Sequence, residues 1–234
     1  MLSVIIPTLN EEKYIGRLLT CIRKQCPKST EIIVSDGSSS DRTVAIAKAC
    51  GCRVVVQKRQ SPAIQRNAGA AIAKGDVLLF LDADTMLPEL FFDRALKEFD
   101  GKKLDVGAFF FTLNSNKLIY RLATIHARHM CYLLNCLHPF GFGAGLLVRK
   151  RVHDSIGGFD ETILMGEDHV YCLTVAKRKF HYNLIRSTYI LFSTRRFEKE
   201  GFLKVALKWY YFGFYYVFRG PIRKLTVPYE FGKY

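Results

Sequence analysis

The sequence predicts an α/β fold in which helices flank a mixed, mostly parallel sheet and amphipathic helices follow at the C-terminus. Three observations favour it. Short apolar runs alternate with helical patterns over residues 1–112, two of these runs end in acidic clusters, and the chain becomes aromatic and basic beyond residue 195. Short β-branched strands separated by helix-length stretches form βαβ units with right-handed crossovers. The 234 residues suit one large domain, or one domain with an appendage.

The first half of the chain alternates strands and helices. Its strands are predicted at residues 2–6, 32–35, 53–57, 77–81 and 106–112. Apolar residues at helical intervals predict helices after Asn10 and at 42–50, 65–74 and 89–99, with Asp41, Gly51 and Pro88 as caps or breaks. The second half has predicted helices at 117–137 and Glu167–Lys177 and predicted strands at 146–149, 182–185 and 189–192.

Acidic residues directly follow two of the predicted strands. Asp36 stands at the end of the strand at 32–35, and Asp82 and Asp84 follow the strand at 77–81. Because ligands bind beyond the carboxyl ends of strands in open α/β sheets, we expect the three aspartates to converge on one crevice. Crowded carboxylates repel one another unless a cation joins them, and hard oxygen ligands suit Mg2+ or Mn2+. The sequence therefore predicts a divalent ion that holds a diphosphate.

Charge and cysteine content limit the classes of molecule that the protein is expected to bind. The chain has 35 basic and 21 acidic residues, a formal charge of +14, which favours nucleic acid, an anionic membrane or a phosphorylated substrate. It carries no recognised nucleic-acid-binding motif, so we expect no nucleic-acid partner. Its seven cysteines have no paired C-x2-C spacing that would suggest a zinc site, and we expect buried thiols in a protein of a reducing compartment.

Short motifs along the chain occur in the order found in family 2 glycosyltransferases. They are PTLNEE at 7–12, VSDGSSSDRT at 34–43, RNAG at 66–69, GD at 75–76, DAD at 82–84, GGFDE at 157–161 and GED at 166–168. The chain therefore resembles that family over about residues 1–200. The resemblance implies the GT-A fold, a Rossmann-like sheet flanked by helices. It also implies one GT-A domain at 1–200, with a nucleotide-sugar-binding half at 1–112 and an acceptor half at 113–200.

The resemblance implies roles for the donor-site residues. Pro7, Thr8 and Glu11 would lie past the first strand and hold the nucleoside, with Glu11 accepting hydrogen bonds from ribose hydroxyls. Asp36 would accept from the base or the ribose, and Arg66 would be a second cation near the nucleotide.

It implies roles for two further carboxylate pairs. Asp82 would contact the ribose or the ion, and Asp84 would ligate the Mn2+ or Mg2+ ion that bridges both donor phosphates and acts as a Lewis acid. Asp168 corresponds to the family's catalytic base, which deprotonates the acceptor hydroxyl in an inverting transfer, and Glu167 beside it is assigned to substrate binding. If the acceptor is already an anionic lipid phosphate, Asp168 would only orient it.

Two departures from the family patterns stand out. Residues 193–197, STRRF, stand where cellulose-synthase-like members carry Q-x-x-R-W. Arg196 matches the arginine, whose fork suits diphosphate oxygens, while Ser193 and Phe197 replace the glutamine and the tryptophan. Met86 occupies the place of a glutamine that helps to hold the ion in polyprenyl-phosphate mannose synthases. The replacements at 193 and 197 argue against glycan polymerisation, and Met86 is a separate departure from the mannose-synthase pattern.

The segment 201–234 is basic, aromatic and amphipathic. Lysines lie beside a largely apolar surface that contains Trp209 and several tyrosines, a composition typical of a helix lying at an anionic membrane surface. The helix at 117–137 is a second candidate for the same surface. No uncharged apolar run reaches the ~18 residues needed to cross a bilayer. Spanning helices beyond residue 234 remain an open alternative.

Taken together, these residues predict an inverting, metal-dependent hexosyltransferase that uses a nucleoside-diphosphate sugar. Resemblance favours mannose from GDP-mannose, with UDP-glucose or another UDP-hexose such as UDP-GlcNAc as the alternative. The expected acceptor is polyprenyl- or dolichyl-linked, at the cytoplasmic side of the cell membrane.

Plainer structural roles for the same residues stay open at this point. Asp36 could belong to a turn, Asp82 and Asp84 to a solvated strand end, and Glu167 with Asp168 to an exposed helix start. Arginines 195 and 196 could be a surface pair, and the aromatic tail could pack as core or as a dimer face. A non-catalytic sugar- or lipid-binding module is the rival outside enzymes. A nucleotidyltransferase would need a glycine-rich, lysine-bearing loop after the first strand, which residues 7–12 lack.

Overall fold

A computed structural model describes residues 1–137, 141 and 145–223, and a seven-stranded sheet forms its centre. The strands are β1 (Leu2–Thr8), β2 (Glu31–Asp36), β3 (Arg53–Val56), β4 (Val77–Leu81), β5 (Val106–Leu113), β6 (Gly145–Arg149) and β7 (Tyr182–Phe192). The helices are α1 (Ile15–Gln25), α2 (Thr43–Ala49), α3 (Pro62–Ile72), α4 (Phe91–Gly101), α5 (Leu118–Leu137), α6 (Lys150–Ile156), α7 (Glu167–Lys177), α8 (Arg195–Glu200) and α9 (Phe202–Arg219).

The sheet is mixed and mostly parallel, which confirms the predicted fold class. Its strand order is β3-β2-β1-β4-β6-β5-β7. β1 pairs in parallel with both β2 and β4, and β5 pairs in parallel with β7. β6 is antiparallel to both of its neighbours, β4 and β5. The carboxyl ends of β1, β2 and β4 therefore meet at one edge of the sheet.

Both faces of the sheet are covered by helices. Every residue of β1 is buried, as expected for a central parallel strand. Val4 and Ile6 contribute to the core beneath α1, α2 and α4, while Ile5 contributes to the core on the opposite face, beneath α3 and α7. The alternation follows from the two-residue period of a strand. β1 is therefore buried on both faces, and its carboxyl end lies at the middle of the edge formed with β2 and β4.

Two local features differ from the sequence-based expectation. The predicted strands at 182–185 and 189–192 are one strand, β7, whose pairing with β5 shifts register between Phe109 and Phe110. The polar residues that interrupt the apolar run are held by Glu98, which accepts hydrogen bonds from the backbone N–H groups of Arg186 and Ser187 at 2.9 and 2.7 Å. The short helices α6 and α8 had no periodic pattern long enough to predict them.

A separate apolar cluster joins the two helices that the sequence assigns to a membrane surface. Val205 of α9 packs with Phe111, Tyr120 and Phe197, and Trp209 lies against the same cluster. The inner face of α9 is therefore core, as one of the alternatives held, while its outer face is exposed. Of the predicted segment 201–234, residues 224–234 lie outside the described part. Within the described part, no helix has the length and hydropathy of a membrane-spanning segment.

The chain that follows α9 returns to the loop before α7. The backbone N–H of Leu164 donates to the carbonyl oxygen of Ile222 at 2.9 Å, and Ile222 forms an isolated antiparallel bridge with Met165. Arg223 pairs with Asp160 at 3.1 Å. The end of α9 is thus fastened beside α7.

Candidate active site at the carboxyl edge of the sheet

The ends of β1 and β2 are joined by a buried hydrogen-bond network. The carboxylate of Asp36, which is fully buried, accepts from the Thr8 hydroxyl at 2.9 Å and from the backbone N–H and hydroxyl of Ser39 at 2.7 and 2.6 Å. The carbonyl oxygen of Thr8 accepts from the Gln65 side chain at 2.6 Å. Pro7 is buried within β1. These bonds fix the loop that was predicted to hold the nucleoside.

Arg66 connects the end of β4 with the start of α7. Its guanidinium is only 3% exposed, donates to Asp82 at 2.8 Å and donates to Glu167 through its other terminal nitrogen. It also lies over the Phe159 ring, 5.4 Å from the centroid. Burial alone would lower the pKa of Arg66, but the charges of Asp82 and Glu167 outweigh burial and raise it. A permanent buried cation therefore sits between the predicted donor and acceptor sides.

Arg195 is the second arginine at this edge. Its two terminal nitrogens form a fork with the carboxylate of Glu11, at 2.7 and 2.6 Å. Its Nε lies 3.2 Å from Asp84 Oδ2, and its guanidinium lies over the Tyr14 ring, 4.7 Å from the centroid. Burial raises the pKa of Glu11, and the bonds to Arg195 oppose that rise. A cation of the chain itself thus contacts both Glu11 and Asp84.

The neighbouring Arg196 is the residue that the sequence assigned to the donor diphosphate. Both follow β7 and begin α8, where successive side chains point in directions about 100° apart. Spacing from the Q-x-x-R-W pattern favoured Arg196. The guanidinium that contacts Glu11 and Asp84 belongs to Arg195, while the assignment of Arg196 to the diphosphate stays a prediction.

Asn67 fastens the loop before α7 to α3, a role that the sequence did not reveal. Its side chain donates to the carbonyl oxygen of Phe159 and accepts from the Phe159 backbone N–H, both at 2.9 Å, and donates to Glu161 at 3.0 Å. A Cβ at Gly158, whose φ is +74°, would lie 2.6 Å from the Asn67 side chain. The RNAG motif therefore positions the GGFDE motif through direct contacts.

Asp168 lies in the first turn of α7. Gly166 precedes the helix with a φ of +78°, and Glu167 and Asp168 are both only 9% exposed. Asp168 Oδ1 accepts from the His169 backbone N–H at 2.8 Å. Burial raises the pKa of Asp168 to about 7, the charge of Glu167 adds to the rise, and Arg66 opposes it. The predicted base is thus a carboxylate poised to exchange a proton near neutral pH.

α9 reaches this site through Tyr216. The Tyr216 ring meets His169 edge-on, with the ring centroids 4.5 Å apart. Burial, followed by the charge of Asp168, raises the pKa of Tyr216. α9, whose outer face is exposed and apolar, therefore also lies close to Asp168.

The predicted gathering of three aspartates around one ion is not what the structure has. Among the described residues, no three His, Cys, Asp or Glu side chains lie close enough together to hold a metal ion. Asp36 is engaged by Thr8 and Ser39, Asp82 by Arg66, and Asp84 by Arg195. The physical reason is that arginines already neutralise two of the three carboxylates.

Asp82 and Asp84 still suit an ion that is bound together with substrate, although each also contacts an arginine. Mg2+ is usually held by one or two carboxylates together with substrate phosphates, rather than by a cage of protein ligands. Asp84 and Asp82 both carry oxygen ligands at the same edge, and burial together with repulsion by Asp84 raises the pKa of Asp82 to about 6 against the effect of Arg66. This donor set fits an ion that arrives with a diphosphate.

Comparisons with known proteins agree with the fold and with the motifs. The family described as "Glycosyl transferase family 2" matches residues 3–157. The chain is 24% identical over 224 residues to a Methanococcus voltae dolichyl N-acetyl-α-D-glucosaminyl phosphate 3-β-D-2,3-diacetamido-2,3-dideoxy-β-D-glucuronosyltransferase, a match covering 85% of this chain and 70% of that protein.

Two solved structures share the fold. Staphylococcus aureus TarS in complex with UDP-GlcNAc has a TM-score of 0.63 at 21% identity, over 82% of this chain and 58% of that one. The Pyrobaculum calidifontis mannosyltransferase PcManGT, in complex with GDP-Man and Mn2+, has a TM-score of 0.62 at 18% identity, over 78% and 54%. The matched region thus spans less than two thirds of both structures.

The fold is that of the GT-A class of glycosyltransferases. Since the family match covers most of the sequence, the chain belongs to glycosyl transferase family 2.

Proposed function

We propose that the protein is an inverting, metal-dependent glycosyltransferase that moves a hexose from a nucleoside-diphosphate sugar to a lipid-linked acceptor at a membrane surface. The observation that carries this proposal is the bridge made by Arg66. One buried guanidinium contacts Asp82 on the donor side and Glu167, which adjoins Asp168, on the acceptor side. Donor and base are thereby held in a fixed relation, as direct displacement at the anomeric carbon requires.

Asp168 is assigned to the base. A general base works best when its pKa lies near the working pH, and burial brings the pKa of Asp168 to about 7. Its position at the start of α7, beside Tyr216 of α9, supports an acceptor that approaches from the side of α9. If the acceptor is a lipid phosphate, Asp168 orients it instead of taking its proton.

Glu11, Asp36, Asp82 and Asp84 are assigned to the donor. Glu11 and Asp36 suit the hydroxyl and N–H groups of the nucleoside, and Asp84, with Asp82 beside it, would hold the Mn2+ or Mg2+ ion. Bound there, the ion would act as a Lewis acid on the leaving diphosphate. The buried Arg66 adds a fixed positive charge near the same phosphates.

An exposed apolar surface on α5 and α9 supports action at a membrane. Most of the exposed large apolar side chains in the described part of the chain belong to these two helices: Leu118, Ile119, Leu122, Ile125, Met130, Tyr132, Leu133, Leu203, Leu207, Tyr210, Tyr211, Phe214 and Phe218. Neither helix contains Asp or Glu, whereas both carry exposed basic residues such as Arg121 and Lys204. Apolar area combined with positive charge suits anionic lipid.

The acceptor assignment has separate support from a relative. The name of the Methanococcus voltae enzyme gives it a dolichyl-linked acceptor. For the donor, we propose GDP-mannose, with PcManGT and its GDP-Man complex as support. A UDP-sugar is the second candidate, because TarS binds UDP-GlcNAc on the same fold. The side of the membrane remains the cytoplasmic one expected from the sequence.

A thermal-shift panel of nucleotide sugars, with and without Mn2+, tests the donor assignment. Ligand at 100 times its Kd stabilises a protein by about 2.7 kcal/mol, which corresponds to roughly 5–10 °C for a chain of this size. We expect such a rise for one nucleotide class only, and only with the ion. A melting temperature unmoved by every nucleotide sugar would reject the proposed donor class.

Transfer of labelled sugar to a polyprenyl phosphate or a polyprenyl-linked sugar tests the reaction itself. Asp84→Ala should abolish transfer, because the ion loses its main protein ligand. Asp93→Ala is the matched control, since Asp93 is an exposed aspartate on α4. Unchanged transfer by Asp84→Ala would reject the metal role of Asp84.

A further inference from the structure

Arg195 occupies the place where the proposed ion and nucleoside would bind. Its guanidinium forms the fork with Glu11 and lies 3.2 Å from Asp84, the two residues that the proposed function assigns to the ribose and to the ion. The side chains of Arg195, Glu11 and Asp84 are 16%, 9% and 15% exposed, so water screens these contacts only weakly. In the absence of donor, a cation of the chain itself neutralises the donor-site carboxylates.

The contacts of Arg195 conflict with a bound ion. A divalent cation on the Asp84 carboxylate and a guanidinium on the same carboxylate repel each other, and the repulsion is strong where solvent is excluded. The ribose would also need the Glu11 oxygens that Arg195 now engages through both terminal nitrogens. Loading of donor and ion therefore requires the guanidinium to give up at least part of these contacts.

Arg195 is also the first residue of a mechanical connection. It begins α8, and two residues later Phe197 is buried in the apolar cluster with Tyr120, stacked on Phe202 and edge-on to Trp209. A single glycine, Gly201, joins α8 to α9 with a φ of +89°, a conformation that other residues adopt only with strain. Arg195 is therefore connected to the base of the exposed apolar helix by packed side chains and by a one-residue junction.

We propose that Arg195 is an exchangeable counter-ion that competes with the divalent ion for Asp84, and that its displacement on donor loading is transmitted through α8 to α9. This inference rests on the proposed function, because it takes the donor and its ion to bind at this edge. It makes Arg195 a positioning residue that links the occupancy of the donor site to the surface proposed to meet the membrane.

Metal binding without nucleotide is the first test. Free Mn2+ is measured by electron paramagnetic resonance during titration of the whole protein. Arg195→Gln should bind Mn2+ at least tenfold more tightly than wild type, because the competing charge is gone, and Arg195→Lys should fall in between, because a point charge cannot form the fork. Lys199→Gln is the matched control, because it removes a positive charge from an exposed position of the same helix.

The single tryptophan provides the second test. Trp209 is the only tryptophan of the chain and packs on Phe197 with ring centroids 5.2 Å apart. Its emission should therefore report the packing of α8 on α9. In wild type we expect GDP or UDP with Mn2+ to change this emission, whereas in Arg195→Gln the emission without ligand should already be altered and should respond little.

The outcomes separate this inference from the proposed function. If both Arg195 variants bind Mn2+ within twofold of the wild-type affinity, Arg195 does not compete with the ion. If a saturating nucleotide with Mn2+ leaves the Trp209 emission of wild type unchanged, the displacement is not transmitted to α9. Sugar transfer by the same wild-type preparation would then leave the proposed function standing. If wild type neither transfers sugar nor binds any nucleotide, the proposed function itself is overturned.

Discussion

Removing two exposed phenylalanines from α9 should release the protein from membranes. Phe214 is 64% exposed and Phe218 is 77% exposed, and their rings stack on each other at 6.3 Å. Complete burial of a phenylalanine side chain contributes about 2 kcal/mol. Transfer of both exposed portions into the lipid interface is therefore worth about 3 kcal/mol, or roughly a hundredfold in the partition coefficient.

Co-sedimentation with liposomes measures this effect. Phe214→Ser with Phe218→Ser should lower the partition coefficient on vesicles rich in anionic lipid by roughly a hundredfold. Val56→Ser with Leu90→Ser is the matched control, because these side chains are 53% and 54% exposed but lie on β3 and just before α4. If the α9 pair and the control pair lowered binding equally, or if neither changed it, the assignment of α9 to a membrane surface would be refuted.

Other variants test the remaining contacts. Arg66→Ala should destabilise the protein by about 3–5 kcal/mol in urea unfolding, because the buried Glu167 and the partly buried Asp82 lose their cation. Asn67→Ala should cost about 1–3 kcal/mol, because Phe159 backbone groups lose their partner. Sugar transfer should rise with pH through about 7, as Asp168 loses its proton. Because the pKa of Asp168 is raised in the folded state, folding stability falls as pH rises from about 4 to about 7. Asp168→Asn should therefore be inactive on a hydroxyl acceptor yet more stable than wild type at pH 8. The difference in unfolding free energy between the variant and wild type should narrow towards pH 4. An equal difference at both pH values would refute this reasoning. Lys204→Gln with Arg219→Gln should weaken binding to anionic vesicles by about 2 kcal/mol and leave binding to neutral vesicles unchanged.

Much of the fold could be predicted because each strand and helix depends on residues that are adjacent in the chain. The apolar runs gave the strands, and the residues at the ends of β1, β2 and β4 gave the acidic edge. The site could be predicted only as a set of residues. Arg195 meets Glu11 across 184 positions, and Arg66 meets Glu167 across 101. Such pairings depend on helix rotation and strand order, which periodicity does not report.

The aromatic tail is another case in which composition predicted the element but not its contacts. Its composition predicted an amphipathic helix, and α9 has one apolar face exposed and one packed with Phe111 and Phe197. Composition could not tell which residues face inward, because both faces of α9 are aromatic. Nor could it reveal that Tyr216 would lie against His169, since that contact depends on where α9 crosses the start of α7.

The antiparallel strand β6 has a consequence for any attempt to divide the protein. Although it comes late in the chain, β6 inserts between β4 and β5, so the sheet is continuous across the boundary at 112 drawn from the sequence. A fragment ending at residue 112 would expose the hydrogen-bonding edge of β4 and would invite association with other chains. Supplied as separate polypeptides, the two pieces should recover solubility only by completing one another's sheet, which makes this junction a natural place for a split reporter.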